Sequence, residues 1–209
     1  MKALRTIMSL AILFCIIDAE AQKDDNFQAV VEKGKADLIE VLATGEQFNF
    51  DIEADAVKSA KADTGLPFHE MNFDQLLKYD EKGIQSTLQP ESKKIIPLVS
   101  NESVVTTISI SNVEGKYRVT DLINHQYGYE LNQLPREAKK NNFKSLRIIY
   151  VPNLNTTIYT FNEKSYTSYG NRSLKEGMDT EELMKILKTD AIKFEKELGL
   201  QAKKGKLLN

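Results

Sequence analysis

Near the start of the chain, apolar residues recur at helical spacing. Phe27, Val31, Leu38 and Leu42 fall on one stripe, widened by Val30 and Val41, and predict an amphipathic helix. Gly34 weakens its middle by about 1 kcal/mol relative to alanine, and Gly45 supplies a stop. The period then changes. Phe48, Phe50 and Ile52 alternate with polar residues, which predicts a short half-buried strand. The stretch "EADAVKSAKA" reads as a weak short helix or a helix-leaning loop, with Val57 its one large apolar residue.

Strand patterns dominate the middle of the chain. In "TGLPFHEMNFDQLLKYD", Gly65 serves a turn and Pro67 and Phe68 open a short strand. Asn72 or Asp74 then caps a helix that buries Leu76 and Leu77. "KKIIPLVS" (Lys93 to Ser100) is apolar and β-branched, but Pro97 lacks a ladder donor, which places it at an edge or a bulge. "SVVTTISIS" (Ser103 to Ser111) alternates, "NVEGK" turns the chain, and "KYRVTDLI" (Lys116 to Ile123) sets Tyr117, Val119 and Asp121 against Arg118, Thr120 and Leu122. Such short connections favour antiparallel neighbours.

"LPREAKKNN" (Leu134 to Asn142) predicts a short helix with Pro135 at its first position. "SLRIIYV" and "TTIYTF" make two strands joined by "PNLN", and "NEKS" turns into "YTSYG". In the last helix Leu183, Leu187, Phe194 and Leu198 form a stripe, with Ile186 and Ala191 beside it. Asp179 and Glu182 start it as a capping box, and Gly199 ends it. The element order is α+β. One domain is expected over residues 22–200, an antiparallel meander with the terminal helices on one face and the other face partly solvated. A cystatin-like arrangement is the first choice and a ferredoxin-like split the second.

The first 21 residues carry a processing signature. Lys2 and Arg5 precede an apolar run from Ile7 to Ile17, and Ala19 and Ala21 occupy the small-residue positions of a signal peptidase site. The run is shorter than the roughly 20 residues that span a bilayer. Cys15 follows the bulky Phe14, which disfavours lipidation. Cleavage after Ala21 is expected, with export to a periplasm or beyond and no membrane-spanning segment left. Removing 21 of 209 residues leaves 188, enough for one core without disulfides. Cys15 is the single cysteine, so export would also remove thiol nucleophiles and thiolate metal sites.

Charge narrows the partners. Removing Lys2, Arg5, Asp18 and Glu20 from 28 basic and 30 acidic residues leaves 26 and 28. Nucleic acid is therefore not an expected partner. The basic cluster in residues 201–209 reads as a solvated tail.

Candidate chemistry is sparse. His69, Glu70 and Asp74 are close in sequence, but in a strand His69 and Glu70 point to opposite faces, so no metal site is expected. His125 stands before an aromatic–glycine–aromatic turn with no nucleophile elbow anywhere in the chain. A hydrolase would have to use one of these two histidines, and no catalytic residue is assigned. Tryptophan is absent, and no phosphate-binding glycine motif occurs, so no cofactor is expected. Tyr150, Tyr159, Phe161, Tyr166 and Tyr169 cluster on two predicted hairpins. Packing beneath the last helix explains such a cluster structurally. A recognition surface is its functional reading, with Tyr159, Phe161, Tyr166 and Tyr169 as binding residues. Three sequons begin at Asn101, Asn155 and Asn171, a number close to chance for this composition.

Gly65-Leu66-Pro67-Phe68, the later Ile96-Pro97-Leu98-Val99 and then Gly115-Lys116-Tyr117-Arg118-Val119 keep the order and spacing of a recurring pattern. On these segments the chain resembles uncharacterised exported bacterial proteins that carry a G-x-P-[FY] strand motif. The resemblance implies export and a sheet, and brings no catalytic residue with it. The expected function is an exported, cofactor-free binding module that recognises a peptide or protein through a sheet edge near Pro97 or through the tyrosine hairpin. The alternatives are a carrier of a small apolar ligand and, least favoured, a hydrolase.

Overall fold

The computed structural model describes residues 26–44, 50–63, 65–140 and 143–203, with side chains through residue 198. The signal segment, the Gly45 stop, Phe48 and the end of the basic tail lie outside the described residues. Helix α1 covers residues 26–44. The chain continues through α2 (Ala54–Ser59), β1 (Lys61–Ala62), β2 (Leu66–Glu70), α3 (Phe73–Leu77) and a 3-10 turn (Ile84–Thr87). Then come β3 (Lys93–Ser100), β4 (Ser103–Val113), β5 (Lys116–Asp121), α4 (His125–Gln133) and α5 (Arg136–Lys139). Strands β6 (Arg147–Val151), β7 (Thr156–Phe161), β8 (Lys164–Tyr166) and β9 (Met178–Asp179) lead into α6 (Thr180–Lys203).

The nine strands among the described residues belong to one open sheet of order β5-β4-β3-β2-β6-β7-β8-β9, with β1 also paired to β3. The fold is mixed α and β and mostly antiparallel. One junction departs from the expected meander: β2 pairs with β6 in parallel, Phe68 opposite Ile148 and Glu70 opposite Tyr150. It joins two halves whose strands otherwise pair antiparallel.

Pro97 does not mark an outer edge. Strand β3 lies between β4 and the β1–β2 pair, and the proline is accommodated by a bulge. The register shifts by one residue between Ala62↔Leu98 and Leu66↔Ile95. Within the bulge the Asp63 amide donates to the Pro97 carbonyl (2.9 Å). The nitrogen of Pro97 faces the same flank as its carbonyl, so the missing donor falls where the ladder is already interrupted.

The terminal helices share one face of the sheet, as expected. Val31 and Leu38 of α1, with Val57 of α2, pack on Ile96, Leu98, Ile108 and Ile110. Leu183, Leu187 and Ala191 of α6, with Leu76 of α3, pack on Ile149, Val151 and Ile158. Asp179 Oδ1 accepts from the amides of Glu181 and Glu182, so its predicted cap is present. Gly199 does not end α6, which continues to Lys203. A glycine costs a helix about 1 kcal/mol, which need not terminate it. No strand forms at Phe50–Ile52, where Asp51 takes a positive φ of 51° that breaks an extended run.

The opposite face carries α4 and α5. Tyr127, Leu131 and Ala138 pack there on Phe68, Ile95, Ile148 and Tyr159. The expected helix of residues 134–142 shrinks to α5, with Pro135 as its cap residue. The preceding "aromatic–glycine–aromatic turn" is instead α4, capped by Asn124, whose side chain accepts from the Tyr127 amide. Asn132 fastens α4 to the sheet: its Oδ1 accepts from Val104 N, and its Nδ2 donates to Val104 O (both 2.8 Å). These bonds serve a stretch of β4 that β5 does not reach.

Two glycines distinguish the packing of the faces. A Cβ at Gly34 would lie 2.9 Å from Val119 Cγ2 and 3.1 Å from Ile108 Cδ1, so α1 docks here by close approach. At Gly128 it would meet Thr106 Cα at 3.7 Å, an ordinary contact. Gly128→Ala is therefore expected to stabilise the fold by about 0.5–1 kcal/mol through helix propensity. Gly34→Ala should forfeit that gain to overpacking. Urea denaturation midpoints check the contrast, and an equal gain at both sites would refute the close docking of α1.

Candidate functional site

The α4 face is incompletely covered. Beyond the amino end of α4 a concave hollow of about 720 Å³ opens over the sheet. Strand residues Phe68, Glu70, Lys93, Ser111, Tyr150 and Thr157 line it, with Thr120 and Asp121 from β5 and Gln126 and Tyr127 from α4. Alternation places Phe68 and Glu70 together on this side of β2, and the parallel register sets Glu70 opposite Tyr150.

Asp121 reaches the hollow through a break in alternation. Val119 pairs with Ile110 but Asp121 pairs with Ser109, so one extra residue, Thr120, enters β5. Thr120 and Asp121 consequently both line the hollow, whereas strict alternation would put Asp121 with Tyr117 and Val119. A bulge that re-aims a side chain in this way is common beside functional sites.

Behind Gln126 lies a buried carboxylate. Glu130 is 8% exposed, yet no cation pairs with it among the described residues. Its oxygens accept from Tyr159 Oη (2.7 Å) and Gln126 Nε2 (3.1 Å). Burial raises the Tyr127 hydroxyl to a pKa of about 12, and Glu130, Tyr150, Asp121 and Glu70 add to the rise. Tyr159 is raised well above its ordinary value by burial first and Glu130 second. Three carboxylates thus make the surroundings of Tyr127 negative. On the cationic side stands Lys93, whose Nζ lies over the Phe68 ring, 4.7 Å from its centroid. Tyr150 donates to Asn155 Oδ1 (3.0 Å) at the rim.

The four aromatic residues expected to bind do not form one surface. Tyr159 and Tyr166 face each other in register, both fully buried on the α4 side. The Tyr166 ring is pressed by Gly177, where a Cβ would come within 2.7 Å of Cε1. Phe161 is half-buried beside them, and with Tyr166 it lines a second hollow of about 610 Å³ shared with Glu137, Asn162, Glu163 and Lys164. Tyr169 sits on the other face, donating to Asp190 Oδ2 of α6 (3.0 Å). Of the wider cluster, Tyr150 reaches the larger hollow. Sequence reasoning passed over Glu70, Lys93, Asp121, Gln126 and Tyr127 as a group. The signal for Glu70 was its alternation with Phe68.

The histidines stay apart. His69 Nδ1 donates to the Gln89 carbonyl (2.9 Å) on the side of β2 away from Glu70, and Asp74 lies in the first turn of α3, which Asn72 caps. His125 is exposed at the first position of α4. Among the described residues no group of three His, Cys, Asp or Glu side chains could hold a metal ion, and no helix is long and apolar enough to cross a membrane. The sequon residues Asn101, Asn155 and Asn171 share a different property: each takes a positive φ (51°, 44° and 61°) in a turn. Asparagine tolerates that conformation better than most residues. No family profile, curated protein or solved structure matches the chain.

Tyr159→Phe should destabilise the protein by about 1–3 kcal/mol, because it strips a buried carboxylate of a donor. Unfolding in urea at neutral pH measures this; an unchanged midpoint would mean that Glu130 is solvated in the fold. In alkali, the phenolate is the form the fold disfavours, so the folded pKa of Tyr127 exceeds its ordinary value of 10. The associated stability is complete below pH 10 and is lost as pH rises through about 12. Stability of Tyr127→Phe should accordingly fall less steeply than wild type across this window.

Proposed function

We propose that the protein is an exported binding module, without catalytic chemistry of its own, that takes a small polar ligand in the hollow beside α4. The observation that carries this reading is the hollow itself: concave, of ligand size, aromatic at Phe68, Tyr127 and Tyr150, and otherwise lined by groups that make hydrogen bonds. Such a lining suits a polar molecule better than the apolar cargo of a carrier. Strand addition at Pro97 has no free edge to use, since β3 is flanked on both sides. The cystatin-like comparison concerns only the frame, a mostly antiparallel sheet carrying helices. Export rests on the amino-terminal signature, and the resemblance to exported bacterial proteins supports it.

The test is protein-observed NMR titration with small-molecule fractions of the producing organism. Shifts should cluster at Glu70, Gln126, Tyr150 and Thr157, and Ser111→Trp, which fills the floor of the hollow, should abolish them in a folded protein. Shifts confined to Phe161, Asn162 and Tyr166 would move the site to the second hollow and end this reading.

A further inference from the structure

On the reading that the hollow is the binding site, we infer that its ligand is a small organic cation, bearing a primary or quaternary ammonium group held among Glu70, Asp121 and the aromatic side chains of the hollow. Two separate features lead there. The first is a charge imbalance. Glu70 and Asp121 line the hollow and Glu130 stands behind Gln126, against Lys93, the one cation among the described residues that line it. The amino end of α4 adds about half a positive charge, which leaves carboxylate in excess.

The second feature is the behaviour of Lys93. Its ammonium is not ion-paired among the described residues but lies over the Phe68 ring at 4.7 Å. Aromatic faces attract cations most strongly where water is partly excluded. The chain itself therefore places an ammonium against this aromatic lining. A ligand cation would find the same kind of partner in Tyr127 and Tyr150, which line the hollow together with Glu70 and Asp121.

An anionic ligand would meet Glu70 and Asp121 as like charges.

Calorimetric and NMR titration of the folded protein with four named probes tests the inference: putrescine and choline as cations, succinate as an anion, and xylitol as a neutral polyol. A cation should bind and shift the resonances of Glu70, Asp121 and Tyr150, while succinate does not. Glu70→Gln combined with Asp121→Asn should weaken cation binding at least tenfold, and Lys93→Gln should strengthen it by removing the resident ammonium. Circular dichroism and unchanged thermal midpoints establish that the variants fold. Binding of succinate or xylitol at these residues in place of the cations would overturn the cation inference and leave the hollow as the site. Cation binding unaffected by the double substitution would overturn it equally, as would silence from all four probes. The reading of the hollow as the site fails separately, through the extract titration and the Ser111→Trp variant.

Discussion

The parallel pairing of β2 with β6 is the constraint on which the rest of the molecule depends. Each half of the sheet pairs antiparallel, and the apolar cluster under α4 and α5 draws on strands of both. Three residue pairs, Phe68 with Ile148, His69 with Ile149 and Glu70 with Tyr150, fuse them into one sheet. A parallel pair needs a long crossover. Here the connection carries β3, β4 and β5 outward and then returns through α4 and α5, which cover the seam. Without the junction, α1 and α6 would have no common platform.

The junction also makes the hollow. It sets Glu70 and Tyr150 side by side and leaves the strand ends beyond α4 uncovered. The helix that could have closed this face is anchored elsewhere, by Asn132 on the backbone of Val104. The β5 bulge then turns Asp121 toward the same space. Glu130 is held at two oxygens by Tyr159 and Gln126 just behind the wall. Burying a carboxylate without a cation is costly. Donation from Tyr159 and Gln126 offsets part of that cost.

Legibility in the sequence followed the range of the interactions. Strand β3 was expected at its observed limits because a run of apolar β-branched residues reports a buried strand by itself. The stripe of α6 and the Asp179 cap were equally plain, since caps and 3.6-residue periods are local. Helix α4 escaped notice because Gly128 and polar neighbours hide its stripe of Tyr127, Leu131 and Leu134, which is apolar only where it meets the sheet. Asp121 was assigned to the wrong face because a bulge belongs to a pair of strands and leaves no mark in either one alone. The aromatic cluster was legible as a group, but its division into core and surface was set by which helix covered each face.

The sequence by itself determined the hairpins, the terminal helices, the turn asparagines and the α+β order, since all of these arise from interactions within a few residues. The tertiary structure decided the parallel junction, the interior placement of Pro97 and the meeting of Glu70, Lys93, Asp121 and Tyr127 in one hollow. The physical reason is that register between distant strands depends on the total apolar area two halves can bury together, and no single segment contains that quantity.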